Sequence, residues 1–170
     1  DLEKLTEIIN EQNLNPKYIV NTHWHDDHTR GNEELAKELG VKIVQHNISQ
    51  LKNDLTVSDG DSIKFGCSEL AVYHTPGHSK DGICLVGDGK IFSGDTLFVG
   101  NCGRIDLPGG SAKELYHGLF DVITNLSDDL ILYPGHDYGS SPTSTIGKEK
   151  QTNPVMQKIT EAEFVEQMGG

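Results

Sequence analysis

The stretch Tyr18-Ile-Val-Asn-Thr-His23-Trp-His25-Asp-Asp27-His28 decides how this chain is read. It opens on a short apolar run, Tyr18 to Val20, which predicts a strand. His23, His25 and Asp27 then alternate, so along extended backbone they share one side and His28 turns to the other. Three imidazoles and two carboxylates fall between His23 and His28. Neutral imidazole nitrogen and carboxylate oxygen are the donors that Zn²⁺ or non-haem iron accepts. They would lie just past a strand end, on a loop held by a rigid scaffold. Taken alone, the run also reads as a solvated His-rich loop without a site.

Three further segments weigh against that plainer reading: Thr75-Pro-Gly-His78-Ser, Ser93-Gly-Asp95-Thr-Leu-Phe and Tyr133-Pro-Gly-His136-Asp-Tyr. Each sets one His or Asp at the end of an apolar run, beside Gly or Pro. In order, the four segments resemble the metallo-β-lactamase superfamily: an H-x-H-x-D-H signature, then a His, an Asp and a His. The resemblance spans nearly the whole chain. It implies an α/β (α+β) fold, a four-layer αββα sandwich with the metal site at one edge between the sheets. It also implies His23, His25 and His78 at a first metal position and Asp27, His28 and His136 at a second, with Asp95 able to bridge them. Trp24 and Asp26 are then spacers, and Asp26 is expected to face solvent. His46, His74 and His117 match nothing in the pattern and are expected to be structural or surface groups.

Two branches of the superfamily compete. The segment Gly94-Asp-Thr-Leu-Phe-Val-Gly-Asn-Cys-Gly-Arg104 resembles glyoxalase II, the hydroxyacylglutathione hydrolase. That likeness implies Arg104 and Tyr138 as substrate-binding residues for the glutathione part of a thioester. It implies two divalent metal ions, zinc foremost, and a catalytic pair, Asp27 and Asp95, that positions a hydroxide. A metal ion can lower the pKa of bound water to about 7, which gives hydroxide at neutral pH. The chain lacks the helical C-terminal region that completes the glutathione site in glyoxalase II. The second half, through Cys102-Gly-Arg-Ile-Asp106, Ala112-Lys-Glu-Leu-Tyr-His117, Ser144-Thr-Ile and Asn153-Pro154, resembles the persulfide dioxygenases. Those imply one Fe(II) on His23, His78 and Asp95, two His and one carboxylate with open positions. The first motif, with Trp24 and Asp26, leans to the hydrolases. The resulting expectation is a thioester hydrolase, with an Fe(II) persulfide dioxygenase as the alternative.

Composition bounds the rest. A chain of 170 residues suffices for one domain, residues 1–170, with a real core. No run approaches the roughly 18 apolar residues of a membrane span, and no signal-peptide pattern opens the chain. A net charge of −12 disfavours nucleic acid, which needs a basic footprint. Cys67, Cys84 and Cys102 are odd in number and form no CxxC, which fits a reducing cytosol rather than a disulfide framework. Cys84 reads as a core residue, and Cys102 sits in a glycine-bearing loop that could approach the site. The partner expected is a small acidic thioester or persulfide, with neither membrane nor nucleic acid; a homo-oligomer is compatible. Lys148 and Lys150 are weaker candidates beside Arg104 and read as surface groups.

Periodicity predicts helices over Asp1 to Asn13 and Asn32 to Leu39, with Asn32 as N-cap and Gly40 as stop. A further helix starts at Ser111, with a capping-box pattern to Glu114, and reaches Leu126. A last one follows Thr160 and Glu163 and ends near Met168. Strands are expected at Val41–Gln45, Asp61–Phe65, Leu70–His74, Ile83–Val86, Lys90–Phe92 and, buried, Leu130–Tyr133, with residues 139–147 a loop. Members of the superfamily usually begin with two or three strands before the first helix, whereas this chain starts in that helix. The expectation is an incomplete chain, or a sheet edge that pairs with another molecule, because an open edge invites aggregation.

Overall fold

A computed structural model describes residues 2–157 and 159–169; Asp1, placed in the first expected helix, lies outside the described residues. The chain runs α1 (Leu2–Glu11), β1 (Tyr18–Val20), α2 (Asp26–Thr29), α3 (Asn32–Leu39), β2 (Lys42–His46) and β3 (Leu55–Val57). It continues through β4 (Ser62–Phe65), β5 (Ser68–His74), β6 (Ile83–Gly87), β7 (Lys90–Gly94), β8 (Leu97–Phe98), β9 (Asn101–Cys102) and α4 (Ala112–His117). It closes with β10 (Ile131–Pro134), β11 (Ser144–Thr145), α5 (Ile146–Thr152) and α6 (Glu161–Gln167).

Strands β1, β2 and β3 pair in parallel as one sheet; β11-β10-β7-β6-β5-β4 form a second, mixed sheet. Alternation along β6 shows how the layers stack, because successive side chains leave opposite faces. Ile83 and Leu85 join Val44, Val57, Ile63 and Val72 between the two sheets, whereas Cys84 turns to the other face. There it meets Ile91, Leu115, Leu119, Leu132 and Phe164, under the helices. Two apolar layers on either side of one sheet, with helices outside, give the sandwich expected from the sequence.

Four local expectations change. Asn32 does not cap α3; Gly31 holds that position, and Asn32 Nδ2 donates instead to Asn21 Oδ1 at 2.9 Å, tying the helix to the loop before His23. The helix after Ser111 does keep its N-cap, with Glu114 N–H donating to Ser111 Oγ at 3.2 Å, but its α form ends at His117. A π turn (Gly118–Val122) and a 3₁₀ turn (Ile123–Asn125) follow. Leu115, Leu119 and Ile123 are all fully buried. Their spacing of four drifts off a 3.6-residue face, and a wider turn re-aligns it. Strand β10 is not buried throughout: Leu132 is, while Ile131 and Tyr133 face solvent in part. Residues 139–147 are not all loop, since β11 pairs antiparallel with β10 and α5 starts at Ile146. The Thr160–Glu163 capping box of α6 forms as the sequence predicts. Among the described residues no helix is long and apolar enough to cross a membrane.

Candidate metal centre

Topology alone brings the ligand-bearing segments to one place. Strand β7 pairs in parallel with β10, and each of β5 and β7 is antiparallel to β6. The C-terminal ends of β5, β7 and β10 therefore share one edge of the sheet, where open α/β sheets gather their ligands. Just past those ends come His78, Asp95 and His136. The register Pro134↔Gly94 sets Asp95 and His136 side by side. The first motif follows the end of β1 and is docked on the second sheet by Ile83 N–H donating to Thr22 O at 2.9 Å. Gly94 makes the turn into Asp95 with φ +50, and a Cβ there would lie 2.6 Å from Thr22. Only glycine meets both demands cheaply.

All the expected ligands converge. The ligand atoms of His23, His25 and His78 lie within 4.8 Å of one another; so do those of His23, His28 and Asp95, and those of Asp27, His28 and His136. Asp95 Oδ2 is 3.3 Å from His136 Nε2, 3.4 Å from His78 Nε2 and 4.0 Å from His23 Nε2. His78 Nδ1 donates to Arg104 O at 2.7 Å, since a carbonyl can only accept, and this leaves the Nε2 lone pair aimed into the centre. Burial holds His23 well below the ordinary imidazole range, at about 2, with the crowd of neighbouring imidazoles adding to it. Burial likewise lowers His28 and His78, opposed at His28 by Asp27 and at His78 by the Arg104 carbonyl. These rings are neutral and offer lone pairs. Burial also pushes the Asp95 carboxyl up to about 6, with His136 opposing.

Two buried polar atoms here have no hydrogen-bond partner, His23 Nε2 and Asp95 Oδ1. Buried orphans of this kind are costly unless something satisfies them. A divalent cation does so for a neutral imidazole and a carboxylate together, so the donor set fits the metal that the motif implies. His23, His78 and Asp95 are buried, His25, His28 and His136 are half-buried, and Asp27 is exposed.

Beside the ligands opens a cleft of about 450 Å³, lined by His25, Asp27 and His136 together with Phe98, Asn101, Cys102, Arg104, Leu107 and Tyr138. Arg104 and Tyr138 thus reach the cleft as expected. The Arg104 guanidinium is exposed and held by Asp106 through two bonds of 2.5 Å. Tyr138 is 72% exposed and stacks on His136 with centroids 4.7 Å apart. Cys102 both lines the cleft and joins the core, and burial pushes its thiol up to about 12, so it is no ready nucleophile. Phe98, Asn101 and Leu107 were not singled out from sequence; their only signal was closeness to Cys102-Gly-Arg104. Lys148 and Lys150 do not reach the cleft; Lys150 donates to Leu126 O and Asp128. Asp26 faces solvent and pairs with Arg30. His46 and His74 stack on each other away from the ligands, and His117 pairs with Asp121 and Glu161 on the surface.

The family model described as "Metallo-beta-lactamase superfamily" matches residues 2–50 and 45–136. The chain is similar to the human mitochondrial persulfide dioxygenase ETHE1, 39% identical over 166 residues, covering 96% of this chain and 65% of that protein. It is also similar to a hydroxyacylglutathione hydrolase of Tolumonas auensis, 39% identical over 140 residues, covering 78% of this chain and 52% of the relative. The chain therefore spans between half and two thirds of the length of these relatives. Among solved structures, ETHE1 from Myxococcus xanthus superposes with a TM-score of 0.94 at 30% identity, over 99% of this chain and 75% of that one. Fold, ordered ligand segments and family model agree: the chain belongs to the metallo-β-lactamase superfamily.

Proposed function

We propose that this chain is the metal-binding core of an enzyme acting on a small, acidic, sulfur-bearing molecule, and that persulfide dioxygenation with one Fe(II) is its reaction. One observation carries the reading: His23, His78 and Asp95 are the buried members of the ligand set, while Asp27 at the second position is exposed. Two imidazoles and one carboxylate are the donor set of mononuclear non-haem iron, and His78 and Asp95 of that set line the open cleft. The likeness to a persulfide dioxygenase over 96% of the chain supports the same choice. When bound, Fe(II) supplies dioxygen chemistry at its open coordination positions.

The protein's own residues do the rest. The Arg104 carbonyl fixes the His78 tautomer and so aims its lone pair. Asp95 is enclosed between His78 and His136, and a bound cation there would favour its ionised form. His28 and His136, with Nε2 atoms 3.0 Å apart, can hold one proton between them beside Asp27 and Asp95. Arg104 offers a planar fork to a substrate carboxylate and would exchange Asp106 for it. Phe98 and the ring of Tyr138 shield the His136 side of the cleft from water.

Thioester hydrolysis with two zinc ions is the second reading. It is favoured by the completeness of the Asp27, His28 and His136 group, with His136 Nε2 3.3 Å from Asp27 Oδ2. Metal content per chain, measured by elemental mass spectrometry on protein purified without oxygen or added metal, separates the two. About one iron, with oxygen uptake on glutathione persulfide, is the expected result. About two zinc ions with thioester cleavage and no oxygen uptake would overturn the dioxygenase reading.

A further inference from the structure

Helix α5 and the Asn153 that caps its C-terminus carry a buried carboxylate and a buried carboxamide that the chemistry above does not use. Glu149 is 1% exposed and Asn153 is fully buried. Glu149 Oε2 accepts from Gly100 N–H at 2.8 Å and from Asn153 Nδ2 at 2.9 Å, and Oε1 accepts from Ser144 Oγ at 2.5 Å. Asn153 Nδ2 also reaches Phe98 O at 3.2 Å and Asn101 O at 3.1 Å. Two side chains about fifty residues downstream thus bind the main chain of the Phe98–Asn101 turn, the tip of the β8–β9 hairpin. The three donors to Glu149 are neutral. A buried carboxylate without a cation is costly, and apolar packing would hold a hairpin more cheaply. What a satisfied polar network adds is one defined position for the segment.

That segment is a wall of the cleft. Phe98 meets His136 and Tyr138 edge-on, with centroids 5.9 and 5.5 Å apart, and Asn101 and Cys102 line the same space before the chain reaches Arg104. Asn101 Oδ1 accepts from Cys102 N–H at 2.9 Å, which turns the amide so that Nδ2 is left as a donor at the cleft. The ligands themselves ride on other loops.

We propose that Glu149 and Asn153 are positioning residues for substrate binding: through the β8–β9 turn they set where Phe98 and the Asn101 amide stand, and so how an acceptor group on the thiol carrier is held. The proposal rests on the reading of this cleft as the substrate site. Asn153→Ala removes the donor to two carbonyls, and Glu149→Ala removes the acceptor for Gly100 N–H. Glu149→Gln can keep every bond, with Nε2 donating to Ser144 Oγ and Oε1 accepting from Gly100 and Asn153.

The test uses iron-loaded enzyme, oxygen uptake with glutathione persulfide, thioester cleavage with S-lactoylglutathione, and hydrogen exchange across residues 98–102. Phe164→Leu, in the core and outside the residues that line the cleft, serves as a control for lost stability. The expected result is a KM raised about tenfold in Asn153→Ala and Glu149→Ala, with kcat and metal content within about twofold. Exchange should quicken in 98–102, and Glu149→Gln should stay within about threefold of wild type. A KM no higher than that of Phe164→Leu, or loss of kcat and metal in step with KM, overturns the proposal. If wild type turns over neither probe, the substrate reading falls instead, and the hairpin claim is decided by exchange: unchanged protection in Asn153→Ala sinks it.

Discussion

Gly135→Ala tests the metal centre through a single methyl group. Gly135 directly follows β10, and its N–H donates to Gly94 O at 2.8 Å, which locks Asp95 beside His136. A Cβ at this position would lie 2.2 Å from Asp95 Oδ1 and 3.0 Å from His28 Cε1. Side-chain carbons essentially never approach a heavy atom closer than 3.0 Å, so the carboxylate oxygen must retreat by about 0.8 Å. Metal–ligand distances tolerate about 0.2 Å, so a shift of this size removes Asp95 from a good coordination sphere. Perturbing the support of a ligand typically weakens metal binding about 10- to 100-fold, or about 1.4–2.7 kcal/mol. The backbone at Gly135 is not left-handed, so alanine brings no φ strain, and the metal-free variant should melt within a few degrees of metal-free wild type. The assay is metal retained per chain against a graded chelator, read by elemental mass spectrometry, with melting followed by circular dichroism. Gly89→Ala is the mirror control: its φ of +71 is strained for alanine but nothing lies within 4 Å, so it should lose stability and keep metal. Metal retention by Gly135→Ala equal to wild type would refute the placement of Asp95 as a ligand.

Three further outcomes are expected. Arg104→Ala should raise the KM for an acidic thiol-derived substrate about tenfold with little change in kcat, since one charge-assisted pair is lost; steady-state kinetics showing an unchanged KM would remove Arg104 from recognition. Phe164→Ala should cost about 3–5 kcal/mol in denaturant unfolding, because its ring is fully buried under α4; a loss below about 1 kcal/mol would contradict that burial. His46 should make stability fall with acidity. Burial, and then His74 stacked at 4.1 Å, hold it below its ordinary value of 6.5, with Asp81 and Asp59 opposing. The unfolded chain therefore takes up the proton first, so stability is complete above pH 6.5 and is lost as pH falls from there towards the lower folded value. His46→Phe keeps a stacking ring without the titration. Urea unfolding at several pH values should show a shallower decline than wild type, and an identical decline would acquit His46.

The ligand set was legible in the sequence because each ligand obeys a local rule. His23, His25, Asp27 and His28 follow β1 directly, and His78, Asp95 and His136 each come within a few residues of a strand end marked by Gly or Pro. Strand polarity then does the gathering, since parallel or twice-antiparallel neighbours must point their C-terminal ends the same way. The layers were legible for a similar reason: alternation in Ile83-Cys-Leu sorts side chains to two faces whatever the rest of the chain does. The cap of α3 was misjudged because Asn32, a good capping residue by type, found a better partner in Asn21 across the fold.

The cleft wall escaped because it obeys no local rule. Strands β8, β9 and β11 are two residues long, too short for any periodicity, and the turn at Val99-Gly100 takes its geometry from Glu149 and Asn153. Asn153-Pro154 enters the sequence reading only through a resemblance, without a task, and Glu149 does not enter it at all. Burial separates it from the exposed acidic residues of the chain: a carboxylate that is 1% exposed and meets neutral donors at Gly100, Ser144 and Asn153 is there for what it holds. The same distinction separates the two readings of the reaction. Ligand identity is shared by hydrolase and dioxygenase, so the motifs leave both open. Enclosure is not shared equally within the set, and it favours the His23, His78 and Asp95 group over the exposed Asp27. An ion held by the buried group gains the stronger electrostatics of a water-poor site, whereas one beside Asp27 competes with solvent. If chelation strips this protein in two steps, the first ion lost should therefore be the one at Asp27, His28 and His136. A single-step loss of two equivalent ions would count against the iron reading.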